Sequence, residues 1–301
     1  MENYVTLFDS LFLPQGLALH MSMERHVNNY VLWIICVDDQ VYEDLSKLNL
    51  ASVNLLQLSQ LETAELLSVK PIRTKAEYCW TLTPFAPRFV FEADLTAHRV
   101  TYIDADVWFR KNPIPIFNEF QSSGKSVLIT DHAYSPENDL SALAGQYCVQ
   151  FMVFNRNAEV VRKWWEDRCI EWCFSYFEEG KFGDQKYLDD WPQRFPEFVH
   201  VLTNKELMLA PWNATRYPYG NSVIWHFHSL RIVSEESKEL QVYTGDYVLP
   251  RCTHEYIYKP YIKDLQEAKV RLFEIGVNIK QQKIPQKKSK LQTLKYLFCR
   301  K

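Results

Sequence analysis

This chain predicts an α/β fold with a mostly parallel sheet flanked by helices, on two patterns and one property of composition. Stretches of strand formers alternate with stretches of helical periodicity through the first part of the sequence, and strands spaced by about 10 to 15 residues of helix mark β-α-β units. Two of the strands, YVLWIIC and VTYI, are apolar almost without interruption, as expected where helices cover both faces of a sheet. The composition agrees: 301 residues, 47% hydrophobic with only 8 glycines, suffice for a large core and exclude a fibrous or disordered chain.

Taken in order, YVTLFDS reads as the first strand, closing on Asp9 and Ser10, and LPQGLALHMSMERH as the first helix. YVLWIICVDD, QVYEDLSKL and VNLLQL continue as strand, helix and strand. A helical stretch over residues 77–93, interrupted by Pro84 and Pro87, leads into a strand at 100–103. SVLITD and VQFMVF supply further strands, and a long helix is expected over 159–177, before Gly180. From Pro196 onward, Pro211, Pro218, Pro250 and many aromatic residues predict loops and short strands wrapped about the sheet, with a helix returning at 261–275. The expected organisation is a principal unit of residues 1–250, a helical extension at 251–279 packed on it, and a basic tail at 280–301.

A formal charge of −3 excludes a nucleic-acid binder that works through a global positive field. The charge is unevenly spread. Residues 280–301 carry seven Lys, one Arg and no acid, so the tail holds +8 and the remainder −11. Leu291, Leu294, Leu297 and Phe298 recur near helical spacing beside those lysines, which suits an anionic membrane surface, the alternative being a solvated tail. Seven cysteines, an odd number with no C-x-x-C pair, predict reduced thiols, with Cys169 and Cys173 as small core side chains. MENYVTLFDS carries acid where a signal peptide carries base, and no run of about 18 apolar residues occurs. A cytoplasmic protein, peripheral on the inner face of the membrane through its tail, is therefore expected, in which the sequon Asn213-Ala214-Thr215 would go unused. Its 9 Trp, 17 Tyr and 18 Phe offer rings for stacking sugars, although most must fill the core.

The most informative segment is VTYIDADVWF, residues 100–109, where an apolar run ends in two carboxylates separated by Ala105. On an extended strand Asp104 and Asp106 share a face, and the carboxyl end of a buried strand is where open α/β sheets bind ligands. Paired hard oxygen donors repel unless a cation lies between them, so Mn²⁺ or Mg²⁺ bound to a diphosphate is the first expectation. Three later segments bear on it. GQYCVQFMVFNRN is an apolar strand with Gln150 near its start and Asn155 at its end. FGDQKYLDDWP places Asp184 and Gln185 at a helix N-terminus after Gly183, where exposed amides favour polar ligands and where capping is the plain alternative role. SVIWHFHSLRI is strand-like and carries His226 and His228 as a same-face pair.

With these four elements in this order over about 230 residues, the chain resembles the GT-A-fold (Rossmann-like) nucleotide-sugar transferases, and within them the retaining enzymes of glycosyltransferase family 8. The matches are an "hhxDAD" strand, a segment like "FNxGxhhhN", a "GDQ" helix start and a late "HxxG" element. The resemblance implies a mixed, mostly parallel sheet and a hexosyltransferase whose Mn²⁺ (or Mg²⁺) is held by Asp104, Asp106 and His226, with His228 an alternative to His226. It implies that Asp184 holds sugar hydroxyls and Gln185 lies at the reacting carbon. Asp9, Ser10, Ala105, Gln150, Asn155, His228, Ser229 and Arg231 would complete the nucleotide-sugar site. The chain departs from "HxxGxxK": Ser229 and Ile232 stand where the pattern wants Gly and Lys, with Arg231 one place early, and Gln150 replaces a glycine of "FNxG" and would reshape the sugar pocket. The implied partners are a nucleotide-sugar donor, UDP-linked, and a saccharide acceptor, lipid-linked, of a surface glycan such as lipopolysaccharide or capsule. Three alternatives remain: a haloacid dehalogenase-like phosphatase with Asp104 as nucleophile, a sugar-binding scaffold without catalysis, and inverting transfer with Asp131 or Asp139 as general base.

Overall fold

The computed structural model describes residues 1–234 and 240–284. A seven-stranded sheet forms its centre, built from β1 (Glu2–Phe8), β2 (Tyr30–Cys36), β3 (Val53–Gln57), β4 (Arg99–Ile103), β6 (Val127–Asp131), β7 (Tyr147–Asn155) and β8 (Val199–Val201) in the order β3-β2-β1-β4-β7-β6-β8. β7 runs antiparallel to both of its neighbours while every other pairing is parallel, so the sheet is mixed and mostly parallel, as expected. Beside it lie a three-stranded sheet of β5 (Val107–Phe109), β9 (Met208–Leu209) and β10 (Ile224–His226), and a hairpin of β11 (Arg231–Ser234) with β12 (Gln241–Tyr243).

Side chains alternate across the strands into two cores. Tyr4, Leu32, Ile34 and Ile103 pack on one face with helices Leu13–His26 and Lys259–Glu274, while Val5, Ile35, Val100 and Phe154 pack on the other with Trp165 and Trp191. Helix Leu13–His26 approaches β1 so closely that a Cβ on Gly16 would lie 2.3 Å from the Phe8 ring, which is why a glycine stands there. Helix Asp39–Leu48 is capped by Asp38, which accepts from the Val41 amide at 2.9 Å, and Lys75–Leu82 by a Thr74–Glu77 capping box. A 3₁₀ turn at Thr83–Phe85 then breaks the helical stretch before Ala86–Ala93, where the prolines predicted a break.

Two expectations need correction. The helix expected to reach residue 177 is Glu159–Glu171, and Trp172 is already extended. Past it, Trp172, Phe174 and Tyr176 pack ring against ring and Glu77 accepts from both the amide and hydroxyl of Ser175, so the chain leaves the helix to seat its aromatics. Cys169 and Cys173 are fully buried as small core residues all the same, and every cysteine among the described residues is free. The tail does not begin at 280 either. Gln282 is buried, accepts from the Ile232 amide and Gln15, and donates to Leu11 O at 2.9 Å, so the chain stays packed at least to this residue. The basic, apolar end from 285 to 301 lies outside the described residues. Among those described, no helix is long and apolar enough to cross a membrane.

Candidate active site

The sheet order places the carboxyl ends of β2, β1 and β4 and the start of β7 side by side, with β6 beyond. β1 sends its chain to β2 on one side and has β4 on the other, a switch point where open α/β sheets form a crevice. A cleft of about 710 Å³ opens there.

Asp104 and Asp106 do not share a strand face as expected. β4 ends at Ile103, and the two acids flank Ala105 in a tight turn closed by the Val107 amide on Asp104 O at 3.2 Å. The turn and β10 bring them together: Phe227 N donates to Asp106 O at 2.9 Å, which sets β10 beside the turn and aims His226 at both carboxylates. His226 Nε2 lies 3.0 Å from Asp106 Oδ1 and 3.7 Å from Asp104 Oδ2, and one ligand atom from each of the three residues falls within 4.8 Å of the other two. Tyr102 donates to Asp104 Oδ1 at 2.9 Å. On the far side of the ring, His226 Nδ1 meets Gln150 Oε1 at 2.9 Å. A proton on Nδ1 satisfies that contact and turns Nε2 to the acids, where its proton is the one a metal ion would displace, the orientation a metal-ligating histidine requires. Gln150 thus holds His226, and the expectation that it reshapes the sugar pocket is replaced by this role.

The electrostatics express the same closeness. Burial would raise Asp106, but the His226 imidazolium beside it holds it down to about 2. Burial also opposes a charge on His226, yet Asp106 and the hydrogen bond to it raise the imidazole well above its ordinary value. Asp104 is raised, by burial first and also by the charge of Asp106. Two acids and an imidazole this close, one acid reluctant to ionise, form a donor set whose charge a divalent cation would balance.

Asp184 and Gln185 line the same cleft. Asp184 precedes a 3₁₀ helix of six residues, Gln185–Asp190, and makes no side-chain cap, so the expected helix-terminus argument does not apply. What stands in its place is burial: Asp184 is 3% exposed, its Oδ2 has no partner, and burial followed by the charge of Asp104 lifts it to about 8. A carboxyl that keeps its proton can both donate to and accept from a hydroxyl. Gln185 is oriented by its Nε2 donating to Ala144 O at 3.0 Å.

Of the other expected site residues, Asp9, Ala105, His228 and Arg231 line the cleft. Asp9 Oδ1 accepts from the Leu11 and Phe12 amides and Oδ2 meets Lys75 Nζ at 2.7 Å. Arg231 spreads over the Phe12 ring at 5.5 Å. Ser10 is turned away: its hydroxyl donates to Asp38 and accepts from Lys280 Nζ at 2.7 Å. Asn155 is also misplaced. It pairs with Arg99 at the start of β4 and donates to Lys125 O, whereas Phe151 is the residue opposite Ile103, so Asn155 lies four residues, about 13 Å, from the acids. His226 and His228 are not a same-face strand pair, because β10 ends at His226 and a turn follows. Ser229 in that turn has φ +65°, the left-handed region that favours the glycine of the expected pattern, and its hydroxyl lies 3.2 Å from His228 Nδ1, outside the cleft lining.

No protein-family model matches the chain. Two Bacillus subtilis (strain 168) proteins are similar along most of its length: uncharacterized protein YfnF is 32% identical, covering 77% of this chain and 82% of YfnF, and uncharacterized protein YfnD is 30% identical, covering 88% of each. The chain belongs to the family of YfnF and YfnD.

Among solved structures, galactosyltransferase LgtC in complex with donor and acceptor sugar analogs superposes with a TM-score of 0.55 at 10% identity, over 88% of this YfnF/YfnD relative and 95% of LgtC. Glycosyltransferase GlyE of Streptococcus pneumoniae TIGR4 gives 0.51 at 14% identity, over 94% of this chain and 65% of GlyE. The YfnF/YfnD relative therefore has the fold of GT-A glycosyltransferases. Cleft residues that sequence reasoning missed are Lys75 and Trp80 on one helix, His132 and Tyr134 on the loop after β6, Trp212 in a 3₁₀ turn after β9, and Tyr247 after β12. Only proximity in space unites them, although the HAY after SVLITD, at the end of a strand, was a usable signal.

Proposed function

We propose that this protein is a metal-dependent glycosyltransferase that moves a hexose from a nucleotide diphosphate sugar, UDP-linked, to a saccharide acceptor of a surface glycan such as lipopolysaccharide or capsule, with retention at the anomeric carbon. The observation that carries the reading is the Asp104–Asp106–His226 cluster, aimed by Gln150 and set in the cleft of a glycosyltransferase fold. These three residues would hold a divalent ion, for which a mixed carboxylate and imidazole set suits Mn²⁺ better than Mg²⁺. When bound, the ion would offset charge on the departing diphosphate.

The chain's own residues would do the rest. Arg231, which lines the cleft over Phe12 one residue from where the family pattern has its lysine, would meet a phosphate oxygen. Asp9 and Lys75 would bind the nucleotide at the β1 end. Protonated Asp184 would exchange hydrogen bonds with sugar hydroxyls, and the Gln185 carbonyl oxygen would face positive charge developing at the reacting carbon. The phosphatase alternative asks for its nucleophile on the first strand, but Asp104 follows the fourth. The basic, apolar sequence from 285 onward would hold the enzyme on an anionic membrane presenting a lipid-linked acceptor.

The test is to incubate the protein with UDP-hexoses and a mixture of saccharide acceptors, with Mn²⁺ or with EDTA, and to read the anomeric proton coupling of any product. Metal-dependent product with the donor's configuration is expected. Inverted product would remove retention from the reading, and a product formed equally in EDTA would remove the metal.

A further inference from the structure

Resting on the donor reading above, we infer that the β6 end of the cleft is an acceptor subsite that stacks a neutral pyranose ring against an aromatic shelf centred on Tyr134. The sheet order gives the site a direction. From Asp9 after β1, through Asp104 after β4 and Cys148 at the start of β7, to His132 after β6 is three strand spacings, about 14 Å. The cluster of acids lies between the two ends. The cations that line the cleft, Lys75 and Arg231, belong to the Asp9 side, since Lys75 pairs with Asp9 and Arg231 lies over Phe12. A diphosphate belongs at that end.

The opposite end is built from rings. His132 and Tyr134 stack at 4.6 Å and 11°, Trp212 meets His132 edge-on at 5.1 Å, and Tyr247 reaches His228 with its hydroxyl 3.0 Å from Nδ1. All five line the cleft, none of them is a lysine, arginine or carboxylate, and Tyr134 and Tyr247 are half-buried, with surface left to offer. Aromatic faces against the C–H faces of a sugar suit a neutral saccharide; among the described residues no lysine or arginine lines this end of the cleft, the nearby Arg216 being exposed and donating to Tyr134 O, and this disfavours an acidic sugar.

The shelf is also rigid and strained. Ala133, between the two stacked rings, is buried and sits at φ +49°, a conformation that a residue other than glycine keeps only when its surroundings impose it. The surroundings do so: His132 O accepts from Trp212 Nε1 at 2.8 Å and Asn213 Nδ2 at 3.0 Å, the His132 amide donates to Gln146 O, and the Ala133 amide donates to Asp131 Oδ1. These bonds occupy the Asn213 side chain of the sequon, which is buried. A kink held this firmly, whose effect is to present two rings to a cavity, is explained by what the rings receive.

The experiment measures binding of the methyl glycosides of glucose, galactose and mannose, and of methyl glucuronate, by saturation-transfer NMR. Wild type, Tyr134→Ala and Tyr134→Phe are compared, each with and without saturating UDP and Mn²⁺. At least one neutral glycoside is expected to bind wild type and to lose tenfold or more in affinity in Tyr134→Ala. Binding in Tyr134→Phe should stay within threefold of wild type, methyl glucuronate should bind more weakly, and UDP affinity should be equal in all three proteins. The inference is overturned if no neutral glycoside binds, if the glucuronate is preferred, or if Tyr134→Ala weakens UDP binding, which would make the shelf a nucleobase site. Failure of UDP and Mn²⁺ to bind wild type would instead sink the donor reading, and the arm without nucleotide would still report on the shelf.

Discussion

Asp184 offers a test of the site that needs no substrate. Its carboxyl is 3% exposed and is pushed up from 3.8 to about 8, because burial and then the charge of Asp104 oppose ionisation. Between those values the folded state binds one proton more than the unfolded state, so its stability falls as pH rises, by about 1.36 kcal/mol per unit, and the fall ends above the folded pKa. From pH 6 to pH 8 that is about 2.3 kcal/mol, because the slope halves as the folded carboxyl reaches its midpoint. For 301 residues the unfolding entropy is about 0.6 kcal/mol/K, so the loss corresponds to about 4 °C in Tm. Asp184→Asn is uncharged at every pH and removes this slope while leaving the other titrating groups in place. Thermal unfolding of both proteins in EDTA between pH 5 and 9 should therefore show curves that diverge toward alkaline pH, the variant being the more stable. Curves that run parallel would refute the claim that a neutral carboxyl faces the cleft at pH 7.

Gln150→Leu takes the acceptor away from His226 Nδ1 and should weaken Mn²⁺ binding 10- to 100-fold by calorimetry, because the ring loses its orientation. Ser229→Gly should stabilise the protein by about 1 kcal/mol in urea unfolding, since it relieves a left-handed residue at φ +65°. Asn155→Ala should leave donor affinity and turnover unchanged, as befits a residue at the other end of β7 from the acids.

How far the site could be read from the chain depended on how local each signal is. The strand before Asp104 and the proline break before β4 are short-range patterns, and each stands where its pattern indicated, whereas the acids follow that strand in a turn and not on its face. His226 was also found, by its place in an ordered set of motifs, though the contact that makes it a ligand candidate joins β10 to a turn about 120 residues earlier and has no local signature. Gln150 and Asn155 show the limit. Both lie on one apolar strand, and nothing in its period tells which end meets the β4 turn, because that follows from β7 running antiparallel to β4. The helix that stops at Glu171 shows a different limit: WCFSYF consists of weak helix formers without a Gly or Pro to end the helix, and packing of its rings together with Glu77 on Ser175 draws it out. The shelf was illegible because its rings come from loops after β6, β9 and β12.

If Asp104, Asp106 and His226 hold a cation that in turn holds a nucleotide diphosphate, calorimetric titration of UDP into wild type and Asp106→Asn, each with Mn²⁺ and with EDTA, separates the two proteins. UDP should bind wild type only when Mn²⁺ is present, with a stabilisation of about 2.7 kcal/mol at a hundredfold excess over Kd, and should do neither in the variant. Binding of equal strength in EDTA, or in Asp106→Asn, would contradict that role of the three residues.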